Sequence, residues 1–273
     1  MAILTHGSDL TLAPTIRPVV KQTDGTVQTA LTRLSEGGFR AVQLDATLPG
    51  VRARDLDMRA RKDLAALLTR RGLRLAGLDC FVPRKHFVQP ENADRAMAAL
   101  LATIALAADL GRVPVSLALP VANLAEDMRK AIIEAADGHG IRLAVHAEDN
   151  IDDLLQWTDT ADQPALGVGL DPASALVHGQ EPAALVHRLR RRLTVARLSD
   201  AAGSRASGES EIDTSGLRST IGEGDLDVIA YRIALDLAGG RTGPVVLDLR
   251  GMENPLTAAA QAKLVWEKAA FTT

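Results

Sequence analysis

At 273 residues, 47% of them hydrophobic and 24% charged, the chain has the composition of an ordinary globular protein with one large core. Only 3% are aromatic, so Leu, Val and Ala must fill that core. A net charge of −3 argues against nucleic acid or an anionic membrane as the main partner, and a single cysteine, Cys80, excludes an internal disulfide.

In chain order, residues 9–16 read as a first strand, 26–36 as a helix stopped by Gly37 and Gly38, and 39–45 as a second strand. A helix over 57–71 ends at Gly72, and 73–79 is a third strand. The loop after it carries Arg84, Lys85 and His86. Asn92 is expected to cap a helix that reaches 110, and the fourth strand covers 113–119, weakened by Pro114, which removes a ladder donor. A helix over 124–138 precedes a strand over 141–146. A short helix over 151–157 leads to a strand over 166–171, and a helix over 181–191 to a strand over 193–198. Residues 199–224 form the longest irregular stretch, rich in Ser and Gly, and are expected to be a lid that orders over bound ligand. A helix over 225–237, a strand over 244–249 and a helix over 255–270 complete the chain.

Eight strands alternating with about eight helices mean a parallel sheet, and eight units close it. The expectation is one (β/α)8 TIM barrel over residues 1–273. No G-x-G-x-x-G follows a strand and no phosphate-binding G-x-x-x-x-G-K-[ST] is present, so nucleotide binding is not expected. No window has the apolar length of a membrane helix and the N-terminus lacks a secretory pattern, so the expected location is cytoplasmic.

Several apolar runs hand a polar or charged group to one end: His146 with Glu148 and Asp149, then Asp171, then Arg197 with Asp200, then Asp248. In a parallel barrel those ends form the mouth where active sites sit. Arg84, Lys85 and His86 lie on the same face and suit a phosphate or carboxylate. Each also has a plain structural reading. His146 can be a satisfied packing residue, Asp171 a cap before Pro172, Arg197 with Asp200 a rim ion pair, and Arg250 a neutraliser of Asp248. Cys80, at a strand end, reads as packing.

Five segments in order, Gly140-Ile-Arg-Leu-Ala-Val-His146, Gly169-Leu-Asp-Pro-Ala-Ser174, Ala196-Arg-Leu-Ser-Asp200, Gly222-Glu-Gly-Asp-Leu-Asp227 and Gly243-Pro-Val-Val-Leu-Asp248, resemble the xylose isomerase-like TIM barrels. Residues 41–44 and 106–119 resemble them more loosely. The resemblance implies a sugar or sugar-phosphate isomerase or epimerase acting by proton transfer alpha to a carbonyl. In such enzymes four strand ends, Glu, Asp, His and Glu, hold one divalent cation. The matching positions here are His146, Asp171, Arg197 and Asp248. Ser174 stands where a His is usual and Gln43 where a Glu is common.

Arg197 has no lone pair to give and repels a cation, so it is expected to pair with Asp171 or Asp248 in place of a metal. The catalytic set implied is Asp248 as base with His146, Asp171 and Arg197, and the substrate-binding set is Gln43, Arg84, Lys85, His86, Glu148, Ser174 and Asp200. A cation (Mn, Mg, Zn or Co), if bound by His146, Asp171 and Asp248, is expected to be absent or weakly held. The expected partner is a small sugar or sugar phosphate, with a homo-oligomer permitted. The alternative is a non-catalytic or metal-free sugar-binding relative.

Overall fold

The computed structural model describes residues 10–23, 25–146, 151–202, 218–238 and 243–270. Its barrel strands are β1 (Leu12–Pro14), β2 (Ala41–Asp45), β3 (Arg74–Asp79), β4 (Val115–Ala118), β5 (Leu143–His146), β6 (Leu166–Leu170) and β7 (Leu193–Leu198). A short pair follows, β8 (Asp200–Ala201) and β9 (Arg218–Ser219), and β10 (Val245–Leu247) is the eighth barrel strand. All barrel pairings are parallel, in the ring order β1-β10-β7-β6-β5-β4-β3-β2. A single parallel bridge, Thr15 with Gln43, closes β1 onto β2. The expected (β/α)8 barrel is the observed fold.

The helices are α1 (Ile16–Gln22), α2 (Val27–Glu36), α3 (Met58–Arg70), α4 (Pro90–Asp109), α5 (Glu126–Gly138), α6 (Ile151–Ala161), α7 (Pro172–Val177), α8 (Pro182–Leu189), α9 (Val228–Leu237) and α10 (Pro255–Ala270). Leu, Val and Ile from both layers form the main core, as the aromatic-poor composition requires. Side chains two apart on a strand share a face. One such face carries a layer of small residues, Ala144 on β5, Val195 on β7 and Val246 on β10, packed together.

The structure departs from the sequence reading in a few places, each with a local cause. α1 occupies the end of what read as the first strand. Pro18 is tolerated there because it sits in the first turn, where backbone N–H groups have no intrahelical partner. α7 opens with Pro172 at its first position, and Asp171 precedes it without a side-chain cap bond. α4 starts at Pro90, so Asn92 lies inside it and its amide donates to Gln89 Oε1 at 2.9 Å. Pro114 falls just before β4, so the ladder loses no donor. α6 continues past 157 to Ala161.

The stretch over 199–224 is not irregular at its ends, because β8 and β9 pair antiparallel, Asp200 with Ser219 and Ala201 with Arg218. Asp200 holds that return. Its carboxylate accepts the backbone N–H groups of Gly222 (3.0 Å), Gly224 (3.1 Å), Leu226 (3.0 Å) and Ala201 (2.9 Å). A side chain at Gly224 would run into the same carboxylate. The lid expectation falls mainly on residues 203–217, which lie outside the described residues.

Asp200 is 1% exposed, so its loss strands several buried donors. We expect Asp200→Ala to cost on the order of 3 kcal/mol, read as a lower urea midpoint. A midpoint equal to that of the parent would show that the β8–β9 return stands without the carboxylate.

Candidate active site

The small layer of Ala144, Val195 and Val246 floors the barrel mouth. Two residues further along each strand, on the same face, come His146, Arg197 and Asp248. β3 and β6 end at Asp79 and just before Asp171. β9 adds Arg218, and the turn after β10 adds Arg250. Three carboxylates and three guanidiniums thus meet in one place.

Asp248 lies at the centre. Its Oδ2 accepts from Arg197 Nη1 at 2.8 Å and from Arg250 Nη2 at 2.5 Å, and Arg218 Nη1 stands 3.1 Å away. Its Oδ1 accepts from the Arg250 backbone N–H at 3.0 Å and from Nε at 2.9 Å. The side chain is 0% exposed. Asp171 accepts from Arg218 Nη2 at 2.6 Å and from Ser199 Oγ at 2.6 Å. Asp79 is held more loosely, by Arg197 Nη2 at 3.4 Å. Asp45, its register neighbour on β2, is paired with Arg17 and with Thr47.

Burial disfavours charge on Asp248, but Arg218, Arg250 and Arg197 more than offset it, and its pKa lies well below the usual carboxylate range. Burial likewise opposes charge on Asp171, and Arg218 followed by Arg197 and Arg250 depresses its pKa. Asp79 goes the other way. Desolvation raises its pKa, and the attraction of Arg197 and Arg250 does not compensate. Burial first, and then Arg197, pushes His146 well below the ordinary imidazole value, so the ring is neutral. Neither ring nitrogen has a hydrogen-bond partner among the described residues. Gly169 makes room for that ring, since a Cβ there would collide with it.

These groups open onto a cavity of about 870 Å3, a size suited to a small ligand. Asp79, His146, Asp171, Ser174, Arg197, Arg218 and Arg250 line it, together with Arg84 and Lys85. Asp248 is enclosed beneath them. The carboxylate expected as the base is thus paired with three guanidiniums and has no side-chain exposure. Gln43 lies deeper, donating to Ser116 Oγ at 3.2 Å. Asp200 is committed to the β8–β9 return and does not pair with Arg197. His86 sits on the short turn over Arg84–Phe87 but is not part of the cavity wall. Glu148 lies outside the described residues. Cys80 is buried, accepts from Thr103 Oγ1 at 3.7 Å, and has its thiol pushed up to about 12 by desolvation, in keeping with packing.

A divalent cation needs three or more donors converging at about 2.0–2.3 Å. Among the described residues no group of three His, Cys, Asp or Glu is placed to do this. Asp248 has both oxygens turned to guanidiniums and Asp171 has one, its other oxygen being held by the Ser199 hydroxyl, so three fixed positive charges stand beside these carboxylates. The described residues, taken by themselves, do not fit a divalent metal.

Sequence reasoning missed Asp79, although it ends the apolar run of β3 in the way the other site residues end theirs. It counted Arg250 only as a neutraliser of Asp248, and it passed over Arg218. Nothing local marks Arg218, which is carried in by the β8–β9 return.

Over residues 31–269 the chain matches the family model described as xylose isomerase-like TIM barrel, and it belongs to that family. No curated protein matches it. Among solved structures it resembles a xylose isomerase domain protein from Planctomyces limnophilus, at 17% identity over 96% of both chains with a TM-score of 0.74. It also resembles a D-tagatose 3-epimerase-like protein, at 16% identity over 96% of this chain and 99% of that one, TM-score 0.74. A xylose isomerase-like TIM barrel protein from Mycobacterium smegmatis, solved in complex with magnesium, aligns at 16% identity over 96% of both chains with a TM-score of 0.69. At these identities the likeness is one of fold.

The network sets a stability test. Arg197 is 2% exposed, and removing it leaves Asp248 and Asp79 undercompensated in a buried site. Arg197→Met should cost about 3 kcal/mol in chemical denaturation, and adding Asp248→Asn should recover part of that loss. Equal losses in the single and double variants would show that the two residues are not coupled.

Proposed function

We propose that this member of the xylose isomerase-like TIM barrel family is a sugar isomerase or epimerase that moves a proton alpha to a carbonyl without a divalent cation. The observation that carries the reading is a neutral His146, its ring nitrogens without a hydrogen-bond partner among the described residues, lining a ligand-sized cavity beside Asp79 and a ring of guanidiniums. Environments that push titratable groups apart mark acid–base roles. Asp79 is the carboxylate whose proton affinity is raised, and it lines the cavity. It is the base in this reading, in place of Asp248.

Asp79 takes the proton from the substrate carbon. The C–H electron pair becomes the enediolate double bond, and the carbonyl π pair moves to oxygen. Arg197 donates to that oxygen as a fixed positive charge, and His146 as a neutral hydrogen-bond donor. For isomerisation Asp79 then returns its proton to the neighbouring carbon while the adjacent hydroxyl passes its proton to the enediolate oxygen, so that its O–H pair becomes the new carbonyl π bond. For epimerisation a solvent proton is delivered to the original carbon on the opposite face, the enediolate oxygen pair re-forms the carbonyl, and Asp79 releases its proton to solvent. Asp171 and Asp248 keep the guanidiniums in place and so act through them. A binding-only barrel is the second reading, favoured by the near-complete pairing of the charged groups at the floor.

Proton exchange decides between the two. The purified chain, incubated in D2O with EDTA and a panel of ketoses and aldoses, should place deuterium on the carbon alpha to the carbonyl, read by NMR. Asp79→Asn should slow this by on the order of 10²–10⁴ and His146→Gln by about 10²–10³. The rate should fall as pH drops through the raised pKa of Asp79, because its charged form is the base. No step should appear near 6.5, because the lowered pKa keeps His146 neutral there. No exchange with any sugar would leave the binding-only barrel. Stoichiometric metal held by His146 and Asp171 in the purified chain would overturn the metal-free chemistry.

A further inference from the structure

Resting on the proton-transfer reading, we propose that one ordered water molecule sits in a small chamber beside Asp79, held by Gln43 and Thr15, and that through this water Gln43 is a positioning residue for the Asp79 carboxylate.

Next to the main cavity lies a chamber of about 10 Å3, the space of a single water molecule. Asp79 and Phe81 line both spaces, whereas Thr15, Gln43 and Asp45 line the chamber alone. The barrel register brings these groups together. Thr15 bridges to Gln43 on β2, and Asp45, at the end of β2, stands opposite Asp79 on β3.

The hydrogen bonds of the chamber wall can be accounted for one by one. The Asp45 carboxylate is spent on Arg17 and Thr47. Gln43 is 1% exposed, and its amide N–H donates to Ser116 Oγ at 3.2 Å, which fixes the amide. Its Oε1 is buried and has no hydrogen-bond partner among the described residues. Thr15 Oγ1 accepts from the Leu249 backbone N–H at 3.0 Å, and its own hydrogen has no partner among the described residues. Asp79 has one long contact, from Arg197 Nη2 at 3.4 Å, on Oδ1. The wall therefore offers one unused donor and two unused acceptors. A buried amide oxygen left unpaired is costly, and a polar space of this size is one that water enters. One water satisfies all three groups. It accepts from the Thr15 hydroxyl and donates to Gln43 Oε1 and to Asp79, the three bonds typical of a buried water.

The consequence falls on Asp79. A second hydrogen bond restrains a carboxylate that Arg197 alone holds loosely. It also favours the charged form, which is the base. Burial and the carboxylates of Asp45 and Asp248 oppose that charge, and Arg197 and Arg250 favour it. All of these stay in place when Gln43 is replaced.

The test uses the intact chain. A crystal structure that resolves ordered water should show one molecule about 2.7–3.2 Å from Gln43 Oε1, Thr15 Oγ1 and an Asp79 oxygen. Gln43→Met, close in size but without the acceptor, should lose it. The Asp79 carboxyl is then titrated by carbon NMR, its signal identified by its loss in Asp79→Asn. Its midpoint should move to higher pH in Gln43→Met, because the charged form has lost a donor. In D2O exchange the same variant should lose about threefold or more in kcat with KM little changed, and the acid limb of the pH profile should move up with the midpoint. Water in place and a moved midpoint, with no exchange of any sugar, would keep the water site and remove the proton-transfer reading. Exchange in a parent whose chamber holds no water would keep that reading and overturn the site. A Gln43→Met variant with the midpoint and kcat of the parent would overturn the role of Gln43. Should that variant not fold, Ser116→Ala, which releases the amide, should move the midpoint in the same direction, and an unmoved midpoint overturns the role.

Discussion

The mouth of this barrel depends on how Asp248 is neutralised. A carboxylate with no exposure is tolerable only if its charge is met by others at hydrogen-bond distance. Arg197, Arg218 and Arg250 supply them from a barrel strand, an antiparallel return and the turn after β10. Each guanidinium in turn needs anions. Arg218 reaches Asp171, and Arg197 reaches Asp79, so one buried charge recruits the whole set. The network ties segments distant in sequence to a single geometry, which favours a rigid floor under a ligand over net stability.

The same network sorts the ionisable groups into roles. Asp248 and Asp171 are bracketed by cations and kept charged, and Asp79 receives one long contact and is left with a raised proton affinity. Burial and Arg197 keep His146 neutral. Chemistry-capable groups therefore occur where the pairing is incomplete, and structural counter-ions where it is saturated.

Most of the fold was legible because the eight-unit alternation is written in period and punctuation. The strand over Leu193–Leu198 and the helix over Pro255–Ala270 fall where the pattern puts them. What escaped was α1 and α7, both short and both carrying a proline in the first turn, where a breaker signal and a helix start look alike. The site was half legible. Strand ends announce His146, Asp171, Arg197 and Asp248, and by the same sign should have announced Asp79. Arg218 was not legible, since its place follows from the β8–β9 return and from the hold of Asp200 on the backbone at 222–226. Which carboxylate is exposed and which enclosed is a matter of three-dimensional packing and has no local signature.

Tethered guanidiniums and a bound cation differ in what they can do at a site of this shape. A metal coordinates from several directions and takes a substrate oxygen directly as a further ligand. A guanidinium is planar, donates only in its plane and cannot leave or exchange. Its positive charge is therefore permanent, and its directions are set by the carboxylates that clamp it. Arg197 is clamped on one side by Asp248 at 2.8 Å and only loosely on the other by Asp79 at 3.4 Å, and its Nε has no partner among the described residues. That leaves donor capacity unspent beside the neutral imidazole of His146. A developing oxyanion placed there would find charge and a neutral hydrogen-bond donor already oriented, with little reorganisation at the moment of reaction.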